Sequence, residues 1–90
     1  MKYRIKLVCD GVPGSAGPEA ARDITMAFRT HYPHEQNALC SYVAGKLTLV
    51  AENDYDPDGL ALMDEFSDSL SAYVAEQFDG EISIVSVEIL

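Results

Sequence analysis

The sequence predicts one α+β domain, on the strength of three observations. Its 90 residues are close to the length of a single domain. Segments whose apolar residues alternate, as in strands, occur together with two segments whose apolar residues recur every three or four positions, as in helices. Turns that contain glycine or proline separate these segments. The elements follow one another in the order β-α-β-β-α-β.

In the first half, residues 2–9 predict a strand because Tyr3, Ile5, Leu7 and Cys9 share one parity. The opposite face of this strand carries the basic residues Lys2, Arg4 and Lys6. A loop of sequence DGVPGSAG follows, and Pro18 suits the first position of a helix. Pro33 ends that helix, since the residue before a proline avoids the helical conformation.

In the second half, residues 39–44 predict a second strand, and Gly45 turns the chain into a third strand that begins at Lys46. A second helix runs to about Phe78, with Gly80 after it. Residues 81–90 predict the last strand, in which a change of apolar parity indicates a bulge near Ile84–Val85. This order predicts a ferredoxin-like fold, with both helices on one face of a four-stranded antiparallel sheet. The last strand should lie beside the first, with Glu88 opposite the basic row.

Charge is distributed unevenly along the chain. All six Lys and Arg residues lie within the first 46 positions, eleven Asp and Glu residues follow, and the net charge is −9. Such a field repels phosphate backbones, so we expect no binding to nucleic acid. The second helix should present an acidic surface, formed by Asp64, Asp68, Glu76 and Asp79, to a cation or to a basic protein partner. Because the core of so short a chain is thin, we also expect a homodimer.

The compartment is predicted from the apolar segments and the cysteines. The first nine residues are too short and too charged for a signal peptide, and no segment approaches the roughly 20 apolar residues of a membrane span. Cys9 and Cys40 have neither CxxC spacing nor the density of a disulfide framework. These features predict a cytoplasmic protein with buried thiols and no membrane contact.

The acidic loop before the second helix matches the pattern D-x-D-x-D-G-x5-E. In this respect it resembles an EF-hand calcium loop, although a strand rather than a helix precedes it. The resemblance implies calcium ligands from the carboxylates of Asp54, Asp56, Asp58 and Glu65 and from the Leu60 carbonyl, with Gly59 at the sharp turn. The alternative needs no metal: Asp56 caps the helix, and Pro57 occupies its first position.

The loop after the first strand offers a different ligand hypothesis. Asp10, Gly11, Pro13 and Gly14 form an Asp-x-x-Pro-Gly run, which resembles the Asp-x-Pro-Gly run of ACT domains with one residue added. The resemblance implies an amino-acid-binding regulatory domain in which this loop holds the ligand. A simple flexible turn is the alternative reading. An acylphosphatase is excluded, because the loop lacks the arginine on which that resemblance would depend.

His31 and His34 flank the end of the first helix, and two histidines alone make an incomplete metal site. No acid–base pair or activated nucleophile can be assembled from the sequence, so we expect no enzyme. The leading interpretation is a small non-enzymatic interaction or ligand-sensing domain without a resident cofactor. A calcium-binding strand–loop–helix module and an ACT-like domain are the alternatives.

Overall fold

A computed structural model of the chain describes residues 1–74 and 80–90. The elements are β1 (Tyr3–Cys9), α1 (Gly17–His31), β2 (Gln36–Val43), β3 (Lys46–Asn53), α2 (Leu60–Tyr73) and β4 (Ile82–Ile89). The strands form one sheet in the order β2-β3-β1-β4, and all neighbouring strands are antiparallel. The predicted ferredoxin-like α+β fold is therefore confirmed.

The core lies between the sheet and the two helices. β1 is central, and its residues Ile5, Leu7 and Cys9 are buried, as the alternation predicts. Ile24 and Phe28 of α1 and Phe66 of α2 pack onto the same cluster and have no exposed surface. This apolar layer stabilises the fold through the burial of side chains that the unfolded chain exposes to water.

The hairpin between β2 and β3 confirms the predicted turn. Ala44 and Gly45 both have positive φ angles, of 51° and 83°. Two such residues form the type of turn whose twist matches that of the two strands, and glycine adopts this conformation without steric cost. The turn fixes the register in which Tyr42 lies opposite Leu47.

Two bulges interrupt the strand pairing. In β4, Ser86 lies opposite Lys6 and Ile84 opposite Leu7, so Val85 is the additional residue, as predicted. A second irregularity lies in β2, where Gln36 pairs with Glu52 and Leu39 with Val50. Asn37, between these two pairs, has a φ angle of 53°, a left-handed conformation that asparagine tolerates well.

The basic row of β1 meets acidic residues on both neighbouring strands. The guanidinium of Arg4 lies 3.9 Å from Glu88 Oε2, which confirms the predicted cross-strand neighbour. Its closer contact is with Glu52 of β3, at 3.2 Å, and Lys2 Nζ lies 3.6 Å from the same carboxylate. Desolvation raises the pKa of Glu52, but a hydrogen bond from Asn37, together with these contacts to Arg4 and Lys2, holds it below its ordinary value.

The helix boundaries correct two predictions. α2 begins at Leu60 rather than at Pro57, because Gly59 has a φ angle of 75° that a helix cannot include. It ends at Tyr73 rather than near Phe78, since the backbone of Val74 is extended. Phe78, together with Glu76 and Asp79 of the predicted acidic surface, lies outside the described residues. β2 is also longer than predicted and begins at Gln36 instead of 39.

Within residues 1–74 and 80–90, no helix combines the length and the apolar character that a membrane span requires.

Candidate functional site

The turn between α1 and β2 brings two titratable side chains to one end of the sheet. Pro33 prevents α1 from continuing, and the chain turns through a hydrogen bond from the Glu35 amide to the Tyr32 carbonyl, at 2.9 Å. As a result Glu35 is directed inward and is only 3% exposed, whereas His34 stays at the surface.

The end of β3 supplies the residue that holds Glu35. Asn53 continues the inward parity of β3 and is buried. Its Nδ2 donates to Glu35 Oε1 at 2.7 Å, while its Oδ1 accepts from the amides of Tyr55 and Asp56. The Tyr55 hydroxyl donates to Glu35 Oε2 at 3.0 Å. Both oxygens of the buried Glu35 carboxylate are therefore oriented by neutral donors.

Glu65 reaches this group from α2. Its Oε2 lies 2.6 Å from His34 Nε2, and its side chain is 17% exposed. A ligand atom of His34, one of Glu35 and one of Glu65 all lie within 4.8 Å of one another. We call these three residues the His–Glu–Glu cluster. It joins the α1–β2 turn to α2.

Charge compensation in the cluster is incomplete. In the part of the chain that the structure describes, no lysine or arginine forms an ion pair with Glu35 or Glu65. Desolvation, and secondarily a hydrogen bond with Glu35, raise the pKa of Glu65 to about 7, although His34 opposes the rise. Apart from this carboxyl–carboxyl contact, Glu65 Oε1 is buried without a hydrogen-bond partner. The two acids therefore need a shared proton or a cation between them.

Tyr55 completes the surroundings of the cluster. Its ring centroid lies 5.8 Å from that of His34, so the two rings are in contact at the surface. Desolvation and the hydrogen bond to Glu35 raise the pKa of the Tyr55 hydroxyl, which keeps it a hydrogen-bond donor at neutral pH. This hydroxyl thus orients Glu35 without adding a negative charge.

The residues of the calcium prediction occupy separate positions. Asp54 and Asp58 are exposed, and Leu60 is the first residue of α2. Asp56 is buried, and its two oxygens accept hydrogen bonds from the Ala61 and Leu62 amides. Asp56 therefore caps α2, as the alternative reading predicted, although the helix begins three residues later. The calcium site stays a prediction, and its fifth residue, Glu65, contacts His34.

The residues of the amino-acid prediction lie in the loop between β1 and α1. Gly11 has a φ angle of 74°, and Asp10 forms an exposed ion pair with Lys46 at 3.6 Å. The loop is tied to the β2–β3 hairpin by the Tyr42 hydroxyl, which donates to the Val12 carbonyl at 2.8 Å. Pro13 and Gly14 lie beside this contact, at the turn that precedes α1. The ligand role of this loop stays a prediction.

Both cysteines are free thiols in the core. Burial raises the pKa of Cys40 to about 12, and burial followed by the charge of Asp10 raises the pKa of Cys9. A thiol with a raised pKa is a poor nucleophile at neutral pH. Neither cysteine therefore has the environment of a catalytic residue.

Three residues of the site were not predicted from the sequence: Glu35, Asn53 and Tyr55. Asn53 could have been predicted, because it continues the inward alternation of Leu47, Leu49 and Ala51. A polar residue at such a buried position needs a hydrogen-bond partner. Glu35 could not be placed, because the bulge at Asn37 changes the parity of β2.

The chain was compared with protein-family models, with curated proteins and with solved structures, and none of them matches it.

Proposed function

We propose that this domain is a non-enzymatic ligand-sensing module whose ligand is a divalent transition-metal ion bound by the His–Glu–Glu cluster. One observation supports this most strongly: an imidazole and two carboxylates converge within 4.8 Å, and no lysine or arginine of the described residues neutralises the two acids. A divalent ion supplies the missing positive charge without the cost of burying an unpaired carboxylate.

The donor set favours zinc and related ions over calcium and magnesium. Imidazole nitrogen and carboxylate oxygen are ordinary zinc ligands, at about 2.0–2.2 Å. Calcium requires about six to eight oxygens, and magnesium keeps most of its water molecules. Three protein ligands would leave a fourth position of the zinc ion open to water.

The hydrogen-bond partners of Glu35 would hold it in place as a metal ligand. Asn53 and Tyr55 hold its two oxygens at 2.7 and 3.0 Å. Each oxygen keeps a second lone pair, so Glu35 can bind an ion without losing these partners. Such outer hydrogen bonds orient the ligand and typically raise metal affinity about 10- to 100-fold.

Metal binding would be sensed through the connections of the cluster. His34 and Glu35 belong to the α1–β2 turn, Glu65 belongs to α2, and Asn53 links Glu35 to the loop that caps α2. An ion bound to all three ligands therefore ties the α1–β2 turn to α2 in the native state alone. Its binding free energy is added to the stability of the fold.

Thermal unfolding tests the proposal. The purified protein is melted in EDTA and in equal concentrations of zinc, magnesium and calcium. At zinc concentrations about 100 times the dissociation constant, stability should rise by about 2.7 kcal/mol, which is about 10 °C or more for a domain of this size. Magnesium should produce no such rise.

A matched pair of histidine variants locates the site. His34→Ala should abolish the zinc effect, whereas His31→Ala, which changes the other exposed histidine near the end of α1, should preserve it. An equal zinc effect in both variants would refute the proposed ligand set. A rise specific to calcium that Asp54→Asn removes would instead support the calcium prediction.

Two further expectations stay predictions. The acidic surface of α2 is represented in the described residues by Asp64 and Asp68, both exposed. A basic partner for this surface and a homodimer are the associations that the sequence predicts. Co-purification that depends on salt concentration, together with the mass measured in solution, would test them.

A further inference from the structure

β4 lies at one edge of the sheet, and among the described residues β1 is the strand beside it. A strand in this position presents a row of backbone amides and carbonyls on its outer side. Proteins often protect such an edge with lysine or proline, and Ile82–Ile89 contains neither. Two of its isoleucines are exposed, Ile84 by 37% and Ile89 by 67%. The outer edge of β4 is therefore suited to pairing with a further strand.

The hydrogen bonds at the two ends of β4 show which backbone groups face outward. The Leu90 amide donates to the Lys2 carbonyl at 2.7 Å, and the Asp10 amide donates to the Glu81 carbonyl at 3.3 Å. Residues of an antiparallel strand face alternately toward and away from the neighbouring strand, and the bulge at Val85 shifts this alternation by one position. Counted from both ends, the positions that face outward are Ile82, Ile84, Val87 and Ile89.

These four outward positions are symmetric about the peptide bond between positions 85 and 86. Ile82 and Ile89 are equally distant from this bond, and Ile84 is as distant from it as Val87 is. Outward positions of two antiparallel strands must lie opposite one another to exchange hydrogen bonds. A second β4 related by a two-fold axis meets this requirement at all four positions, because its bulge lies opposite the first bulge. A regular strand does not have this spacing.

The charge of β4 also favours a second copy of the chain. The chain carries a net charge of −9, so most contacts between two copies bring like charges together. β4 has one charged residue, Glu88, and the guanidinium of Arg4 lies 3.9 Å from its carboxylate. In the symmetric arrangement Glu88 lies opposite Ser83 of the second copy. The two Glu88 side chains are therefore separated from each other.

We infer that two copies of this chain associate through their β4 edges, which joins the two four-stranded sheets into one antiparallel sheet. The four outward positions of each copy pair with those of the other, which gives about eight hydrogen bonds between the copies. Ile84 then lies opposite Val87 of the second copy. Ile89 likewise lies opposite Ile82, so part of the apolar surface at this edge becomes buried.

This inference locates the surface of the homodimer that the sequence predicts. None of the β4 residues belongs to the His–Glu–Glu cluster, so association does not require the proposed metal.

Sedimentation equilibrium in EDTA tests the inference, because no metal is then bound. The mass is measured between about 10 µM and about 1 mM protein, a range that covers the dissociation constants of weak complexes. It should rise from 9.8 kDa toward twice that value. Added salt should strengthen the association, because it screens the repulsion between two acidic chains. At the higher concentration the Ile84 and Val87 amides should exchange with solvent more slowly, because each then donates to the second copy.

Variants at position 83 test the register. Ser83→Lys places an ammonium opposite Glu88 of the second copy and should tighten association about two- to tenfold, whereas Ser83→Glu opposes like charges and should weaken it by a similar factor. Ser41 is the matched control, because it is also exposed and lies in the same row of residues across the sheet, on the opposite edge strand β2. Ser41→Lys and Ser41→Glu change the net charge equally but should differ less in association than the two Ser83 variants. The amide spectrum of each variant reports whether it is folded.

Three results would overturn the inference. One is the mass of a single chain at every concentration. Another is association without slower exchange of the Ile84 and Val87 amides, which would assign the contact to a different surface. The third is an equal effect of the Ser41 and Ser83 substitutions, which would show that net charge alone is responsible. None of these results affects the zinc experiment, whose readout is stability in the presence of metal.

Discussion

Replacement of Glu65 by glutamine should change how the stability of the metal-free domain depends on pH. In the folded protein the pKa of Glu65 is raised from 4.5 to about 7, first by desolvation and then by the neighbouring Glu35 carboxyl. The folded state therefore binds a proton more tightly than the unfolded state does. The contribution of Glu65 to stability should be largest below about pH 4.5, fall as the pH rises toward 7, and level off above that.

The size of this effect follows from the burial of the carboxyl group. Each tenfold change in proton affinity is about 1.4 kcal/mol, so the rise in pKa sets a ceiling of about 3 kcal/mol. Because the Glu65 side chain is 17% exposed and contacts His34, screening reduces the expected loss of stability to about 1–2 kcal/mol. Glutamine stays neutral, and its amide can still donate to Glu35 in place of the proton.

Urea unfolding in EDTA at pH 5 and pH 8 measures the effect. The unmodified chain should lose about 1–2 kcal/mol between these conditions because Glu65 becomes charged. Glu65→Gln should lose less and should be the more stable of the two proteins at pH 8. Asp64→Asn, at the adjacent exposed position of α2, should retain the pH dependence of the unmodified chain. If Glu65→Gln and Asp64→Asn showed the same pH dependence, the raised pKa of Glu65 would be refuted.

Three further predictions concern the scaffold. Asp56→Ala should lower the free energy of unfolding, measured by urea titration, by about 1–2 kcal/mol, because the Ala61 and Leu62 amides lose their acceptor. As a control, Asp58→Ala should change this free energy by less than about 0.5 kcal/mol. Gly17→Ala should lower the free energy of unfolding by about 1–3 kcal/mol, since the added Cβ would overlap the Tyr42 ring. Gly14→Ala should be tolerated, because a Cβ at Gly14 lies 3.7 Å from the Tyr42 hydroxyl. Cys40, whose pKa burial raises to about 12, should react with iodoacetamide at pH 8 only as fast as the domain unfolds, and rapid labelling of the native protein would contradict its assigned burial.

The periodic parts of the fold could be predicted from the sequence. Apolar residues alternate in β1 and β3, recur at helical spacing in α1 and change parity in β4. Each of these patterns reflects the burial of one face of the element, so it can be read from the sequence. The start of α2 could not be predicted as readily. Asp56 and Pro57 are a valid cap and first position, but the left-handed backbone of Gly59 delays the helix to Leu60. Local sequence preference thus allows α2 to begin at Pro57 or at Leu60. In the fold it begins at Leu60, and Gly59 packs against Ile5.

The site was less predictable because its ligands come from segments far apart in the chain. Glu35 and Glu65 are separated by thirty positions, and only the docking of α2 beside the α1–β2 turn brings them together. His31 and His34 alone make an incomplete metal site, and the carboxylates that His34 meets in the fold lie outside any local motif. Glu65 was selected for the calcium loop on spacing alone. In the fold the same side chain instead contacts the histidine.

The most direct test of the account is the position of zinc in crystals grown with the ion, determined from anomalous scattering at the zinc absorption edge. We predict one strong peak at about 2.0–2.2 Å from His34 Nε2 and from a carboxylate oxygen of each of Glu35 and Glu65. A peak among Asp54, Asp56 and Asp58, or no peak in the described residues of a zinc-saturated crystal, would contradict the proposed metal centre.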